Sequence, residues 1–325
     1  MVTIKDIAKA SGVSNSTVSK ALNDSPLVKH VTKRKILEIA KNMNYRKNLQ
    51  ATQLVSGKTN LIGLVLQEVG NPLFAHLAGQ INHALSQVGL QMIMTIAADG
   101  LELLERLKVE GVIYWGNIEA RSQVSNTILE SELPVLIVGD SFLPNVSCLQ
   151  LDRGLAIKKA IQYLRSFGHQ KIGMIGNTQE VKLKSYVEVL KELGMEFHDH
   201  YVLPSNTTWW GGYSSVLAYE MNADSPTAFI GVNNLVTQGA LRALLERGLT
   251  VPTEISLIGY DDLPDMEHTE VPLTTVGPSL DRIAHVSADM MVQLIRGEQA
   301  PDNQWIEPAI YVRKSVGFCK TLMLP

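Results

Sequence analysis

Seven short apolar runs, most of them separated by amphipathic stretches, constrain this 325-residue chain more than any other feature. They are LIGLVL (61–66), QMIMTIA (91–97), GVIYWG (111–116) and VLIVGD (135–140), then KIGMIGN (171–177), AFIGVN (228–233) and ISLIGYD (255–261). Segments 73–88, 153–167, 181–193, 235–247 and 280–296 carry apolar residues at helical spacing between or after them. Strands that read as continuous apolar runs are buried on both faces, which implies parallel sheets covered by helices on either side. Two series of runs predict two doubly wound lobes with a cleft between them. Ligands in such sheets bind beyond the carboxyl ends of the strands.

The alternation starts only at residue 61. Before it, three shorter groups repeat at helical spacing. Thr3 can cap a helix with Asp6 three residues on, and Ile4, Ile7 and Ala8 share a face. Gly12 falls at the end of that helix, where glycine enters the left-handed conformation without strain. Val13 can point back into a small core, and Ser14 can cap a second helix over about 15–22. That helix buries Val18, Ala21 and Leu22 and shows Asn15, Ser16, Ser19 and Lys20 to solvent. Thr32 is expected to open a third helix, with Ile36, Ile39, Ala40 and Met43 recurring on one face. The corner lets the second helix project, as in a helix-turn-helix whose second helix enters a major groove. A plain three-helix bundle fits the same spacing.

Charge separates these two readings. Residues 1–60 hold eleven Lys/Arg against three acids, a net +8, whereas the remaining residues carry −11. A basic head on an acidic body favours a polyanion at the head alone. The length exceeds one ordinary core, and 45% hydrophobic with 19% charged residues describes a globular chain. No apolar run reaches a membrane span, and the opening MVTIKDIAK lacks a secretory signal, so a cytoplasmic protein is expected. The two cysteines, Cys148 and Cys319, read as reduced packing residues.

Residues 3–23 (TIKDIAKASGVSNSTVSKALN) with 31–45 (VTKRKILEIAKNMNY) resemble the DNA-binding head of the LacI/GalR, or lactose-repressor, family of bacterial transcriptional regulators. The resemblance implies that Asn15 and Ser16 read base edges, with Lys20 one turn further. Asn can pair with adenine and Lys can reach guanine. Thr17 and Ser19, with Thr3, Ser14, Lys35 and Lys47, are expected on the phosphate backbone. Lys20 stands where the family usually has Arg. In RKNLQATQLVSGKTN (46–60), Asn48 can cap a helix ending near Val55. A helix of about eight residues is unstable alone in water and needs a partner to order it. The family folds this hinge on its operator, which makes Leu54 a minor-groove wedge with Ala51 packed beside it. Lys47 replaces the family's Pro before Asn48, which removes a rigid start and adds a phosphate contact.

LIGLVLQEVGNPLFAHL, FGHQKIGMIGN, GALRALLERGLTVPTEISLIGYDD and PLTTV extend the resemblance through the family's effector-binding core, itself similar to periplasmic sugar-binding proteins. The expected architecture is therefore an all-α helix-turn-helix head at 1–46, a hinge at 47–59, and an α/β core at 60–325. The core divides into two doubly wound parallel-sheet lobes, at about 60–151 with 279–311 and about 152–278 with 312–325. Between Thr95 and Val112 the stretch ADGLELLERLKVEG leaves room for only a short helix.

For a ligand in the cleft, the family's pattern points to Phe74 at the mouth, although packing against the lobe is an equal use for that ring. Trp209 or Trp210 could cover a sugar face, the other being core. Asn233 and Asp261 end strands and can bond hydroxyls or cap the segment that follows. Lys182 occupies the position of the family's Arg, and a lysine offers a point charge without the planar fork. Asn233-Asn234 replaces the family's Asn-Asp pair.

The expected function is a homodimeric repressor that binds a pseudo-palindromic double-stranded operator under control of a sugar or sugar derivative. Control by a protein partner is one alternative, and a sugar-binding transport component is another. Neither a G-x-G-x-x-G after the first strand, a P-loop, a metal-ligand motif nor a G-x-S-x-G elbow occurs, so no enzyme, cofactor or metal is expected. His76 and His83 read as surface residues.

Overall fold

Thr3 and Asp6 fix where the first helix starts. The Asp6 carboxylate accepts from the Thr3 backbone N–H at 2.9 Å and from its hydroxyl at 2.8 Å. Helix α1 (Ile4–Ser11) follows, then α2 (Asn15–Leu22) and α3 (His30–Asn42). The third helix begins two residues before the expected Thr32, because the Lys33 N–H already closes a turn onto the Lys29 carbonyl at 3.0 Å. Ile7, Val18 and Ile36, one from each helix, are fully buried, and Ala8, Ala21 and Ala40 fill the space between. Burying each of the three larger side chains contributes roughly 1.5–3 kcal/mol.

This computed structural model describes residues 2–22, 24–45, 58–67, 69–96, 100–116, 118, 122–176, 180–298 and 303–319. The chain divides into two compact units, Met1–Thr59 and Asn60–Pro325. Lys47, Asn48, Ala51 and Leu54 of the expected hinge lie outside the described residues.

In the second unit, β1 (Leu61–Leu66), α4 (Pro72–Gln87), β2 (Gln91–Ile96), α5 (Gly100–Arg106), β3 (Gly111–Trp115), α6 (Gln123–Glu130), β4 (Val135–Gly139) and β5 (Ser147–Leu151) build the first lobe. The second follows with α7 (Arg153–Ser166), β6 (Ile172–Ile175), α8 (Glu180–Glu192), β7 (Val202–Leu203), α9 (Trp209–Ala218), β8 (Ala228–Gly231), α10 (Asn234–Glu246), β9 (Ser256–Tyr260) and β10 (Thr274–Gly277). Helix α11 (Leu280–Ile295) returns to pack on α4, β3 and β4 of the first lobe. Strands β11 (Asn303–Ile306) and β12 (Ala309–Tyr311) close one sheet each.

The strand orders are β2-β1-β3-β4-β5-β11 and β7-β6-β8-β9-β10-β12, the same winding used twice. All pairings are parallel except β10 with β12, and the registers bring Leu64 opposite Ile113 and Ile230 opposite Ile258. The order reverses beside β1 and β6, which makes the carboxyl ends of those strands the natural floor of a cleft. The chain crosses between lobes after β5, after β10 and between β11 and β12. The last crossing corrects the expected boundary at 311/312: Tyr311 already pairs with Thr275 of the second sheet, so the switch lies at Glu307–Pro308. The short α5 still covers β1, because Gly63 makes room. A Cβ there would sit 2.5 Å from Leu104 Cδ1. Among the described residues, no helix is long and apolar enough to cross a membrane, and no cluster of three or more His, Cys, Asp or Glu could hold a metal.

Candidate functional site

In the head, Gly12 turns the chain at φ +74°, its N–H donating to the Ala8 carbonyl at 2.9 Å. Ser14 starts the next helix by accepting from the Thr17 N–H at 3.2 Å. Its hydroxyl also bonds those of Ser16 (2.8 Å) and Thr17 (2.9 Å), which gathers three hydroxyls at the start of α2. Asn15, Ser16 and Lys20 are exposed, Thr17 and Ser19 are half-buried, and Val18 and Ala21 face the core. An exposed polar helix on a cationic unit has the chemistry to bond base edges and phosphates together. Thr3 is exposed too, and its two bonds hold the Asp6 carboxyl below the usual carboxylate range. Lys35, expected on phosphate, has a structural use as well. Its ammonium donates to the Ser11 carbonyl at 3.3 Å and so ties α3 to the end of α1.

In the second unit a cavity of about 220 Å³ opens between the carboxyl ends of the two sheets. Phe74, Lys182, Asn233 and Asp261 all line it, from α4, α8, the end of β8 and the end of β9. Phe74 is 9% exposed, so it is a packing residue that also shows a face to the cavity. Asn233 serves as a cap: its Oδ1 accepts from the Val236 N–H at 2.8 Å and its Nδ2 donates to the Thr207 carbonyl at 2.9 Å. Asp261 adopts φ +71°, a left-handed conformation that aspartate enters more readily than most residues other than glycine.

Trp209 and Trp210 do not line the cavity, which corrects their assignment to ligand. They form the first turn of α9, where Thr208 caps the helix by accepting from the Gly211 N–H at 3.0 Å. Trp209 stacks on Tyr213 with centroids 5.2 Å apart, and Trp210 is 70% exposed. The two threonines just before them, Thr207 and Thr208, take the place on the wall.

Arg153, Tyr260, Asn71 and Trp115 also line the cavity and were missed in the sequence. Each stands at or just beyond the carboxyl end of a strand, a position that parallel-sheet topology alone marks. Lys182 is 1% exposed. Its ammonium donates to the Val232 carbonyl at 2.6 Å and lies 3.2 Å from the centre of the Tyr260 ring. Burial lowers its pKa to about 7; Arg153 acts in the same direction, and Asp261 and Asp140 oppose it. Burial raises the Asp261 carboxyl, against the pull of Lys182 and Arg153. Arg153 pairs through Nε with Asp140, so burial fails to lower its pKa and the neighbouring negative charge raises it. Across the cleft, the Asn71 Nδ2 donates to the Asn234 Oδ1 at 2.9 Å and so links the lobes directly.

Comparison with known proteins agrees with this architecture. Residues 3–48 match the family described as bacterial regulatory proteins, lacI family, and residues 161–316 match a periplasmic binding protein-like domain. A probable HTH-type transcriptional repressor, ExuR of Bacillus subtilis (strain 168), is 28% identical over 331 residues, covering 97% of this chain and 98% of that protein. The fold matches the lac repressor dimer bound to operator and an anti-inducer, with TM-score 0.85 at 22% identity over 97% of this chain and 99% of that one. It also matches the transcriptional regulator CelR in complex with cellobiose, with TM-score 0.69 at 25% identity over 97% of this chain and 100% of that one. The chain thus carries a DNA-binding head of the lacI family of bacterial regulatory proteins and a periplasmic binding protein-like domain.

Proposed function

We propose that the protein is a cytoplasmic, homodimeric transcriptional repressor whose operator affinity is set by a small sugar-like effector in the inter-lobe cleft. The observation that carries this reading is the exposed polar face of α2, with Asn15, Ser16 and Lys20, on a head of net charge +8. Two such heads on a dimer read the two halves of a pseudo-palindrome in successive major grooves. Closure of the lobes on a ligand favours one of two dimer geometries, and operator affinity follows that equilibrium. Leu54 and Ala51 in the hinge supply the minor-groove wedge, and Lys47 a phosphate contact. The alternative of a transport component leaves the basic head without a use.

The test is an operator-binding titration on DNA from the protein's own promoter region, repeated with a panel of sugars and sugar derivatives. A specific site whose affinity shifts with one class of ligand is the expected result. Equal affinity for promoter and random duplex under every condition overturns the proposal.

A further inference from the structure

Three uncharged polar side chains on the cleft wall are already engaged. Asn233 uses both ends of its amide on Val236 and Thr207. Asn71 does the same, its Oδ1 accepting from the Leu73 N–H and its Nδ2 donating to Asn234. The Thr208 hydroxyl accepts from Gly211 and donates to the Asn206 Oδ1 at 2.5 Å. The charged side chains on that wall are Arg153, Lys182 and Asp261.

Lys182 has committed one N–H to the Val232 carbonyl and its charge to the Tyr260 ring. Arg153 is different. Asp140, which stands behind it and off the cavity wall, holds its Nε. No hydrogen bond among the described residues engages its two Nη groups, which leaves a planar pair of donors. The lining therefore sets one lasting cation, Arg153, beside a lysine that burial drives toward its neutral form and one carboxylate. A planar fork of this kind matches the two oxygens of a carboxylate bidentately, which an ammonium cannot do. The family's Arg is lost at position 182, and Arg153 brings a guanidinium into the same cavity from a different element.

Size narrows the ligand further. A cavity of about 150 Å³ holds one benzene ring, and this one measures about 220 Å³. That volume suits a single six-membered ring with its substituents. Phe74, Trp115 and Tyr260 supply apolar faces for such a ring, and the Asp261 carboxylate can accept from two hydroxyls.

We infer that the effector is a monosaccharide-sized sugar acid whose carboxylate is held by the Arg153 fork and whose hydroxyls donate to Asp261. This rests on the reading of the cleft as an effector site and deepens it.

Calorimetric titration of the full-length protein with D-glucuronate, D-gluconate, D-glucose and D-glucose 6-phosphate tests it. At least one of the two carboxylates should bind ten or more times tighter than glucose and tighter than the phosphate. Arg153→Lys keeps the charge but loses the fork, and should weaken that carboxylate by about tenfold to a hundredfold, the worth of a charged hydrogen bond, while affecting glucose far less. Asp261→Asn should weaken the carboxylate and glucose alike. The ranking by the unaltered protein decides the matter even if a variant fails to fold. Tightest binding of glucose or its phosphate, equal loss of all ligands in Arg153→Lys, or binding of neither carboxylate overturns the inference. Glucose binding that shifts operator affinity and ignores Arg153 would leave the effector cleft standing and remove only the sugar acid. No response of operator affinity to any ligand would remove both.

Discussion

The Lys182 ammonium lies 3.2 Å from the centre of the Tyr260 ring, inside a wall that leaves the lysine 1% exposed. Burial is the main reason its pKa drops from 10.5 to about 7, Arg153 adds to the effect, and Asp261 and Asp140 oppose it. Between about pH 7 and pH 10 the unfolded chain therefore holds a proton that the folded chain has released. Stability must rise with pH through that window, because the unfolded state binds more protons there. Lys182→Met removes this linkage. It also raises the Asp261 carboxyl further, which acts in the same direction. The melting temperature of the unaltered protein, measured relative to Lys182→Met, should climb from pH 7 to pH 10. A gap independent of pH would show that the amine keeps its ordinary ionisation in the fold.

Asn71 does two jobs with one amide, capping α4 through Leu73 and reaching Asn234 on the other lobe. Asn234 is fully buried, and its Nδ2 has no partner among the described residues. Asn71→Ala should lose a helix cap of about 1 kcal/mol and strand the remaining acceptor of Asn234 at a further 1–3 kcal/mol, roughly. Asn71→Ser keeps the cap but cannot span the lobes. Urea unfolding should place the serine variant between the other two. A serine variant as stable as the unaltered protein would mean that the cross-lobe bond contributes nothing, and equal losses for both variants would assign the whole effect to that bond and none to the cap.

Elements with a period were open to sequence reasoning, and side-chain direction at their ends was not. Continuous runs such as LIGLVL and GVIYW could only be buried strands, and the lobes follow from their alternation with helices. Lys182 and Asp261 were found because a family pattern marks their positions. Trp209 and Trp210 misled because residue type suggests a sugar platform, while the direction of a ring depends on where α9 starts. That start is fixed by Thr208, two atoms of whose surroundings (the Gly211 N–H and the Asn206 Oδ1) no spacing rule reveals. Arg153 went unnoticed for the opposite reason. A lone arginine after LQLD has no motif, and only the crossing between lobes brings it to the cleft.

Leu54 should matter to DNA alone. A leucine that wedges between base pairs contributes by opening a kink, and its removal forfeits the contacts the bent duplex permits. Leu54→Ala is expected to reduce operator affinity while effector titrations on free protein stay unchanged. Equal shifts in the two titrations would sink the wedge.

Lys20 and Lys35 separate base reading from support within one small unit. Lys20 is exposed on α2, so Lys20→Ala should relax preference at one base position at a cost of about 1–3 kcal/mol for the preferred site. Lys35 donates to the Ser11 carbonyl at the end of α1, so Lys35→Ala removes a bond between α3 and the corner as well as a positive charge. Its expected signature is double: weaker binding to all sequences with a salt slope smaller by about 1, and a lower melting temperature for the head. Lys20→Ala should leave that melting temperature unchanged. A Lys35→Ala head that melts normally, with only the salt slope reduced, would reduce this lysine to a phosphate contact. Loss of base preference in Lys35→Ala but not in Lys20→Ala would reverse the assignment of the reading face.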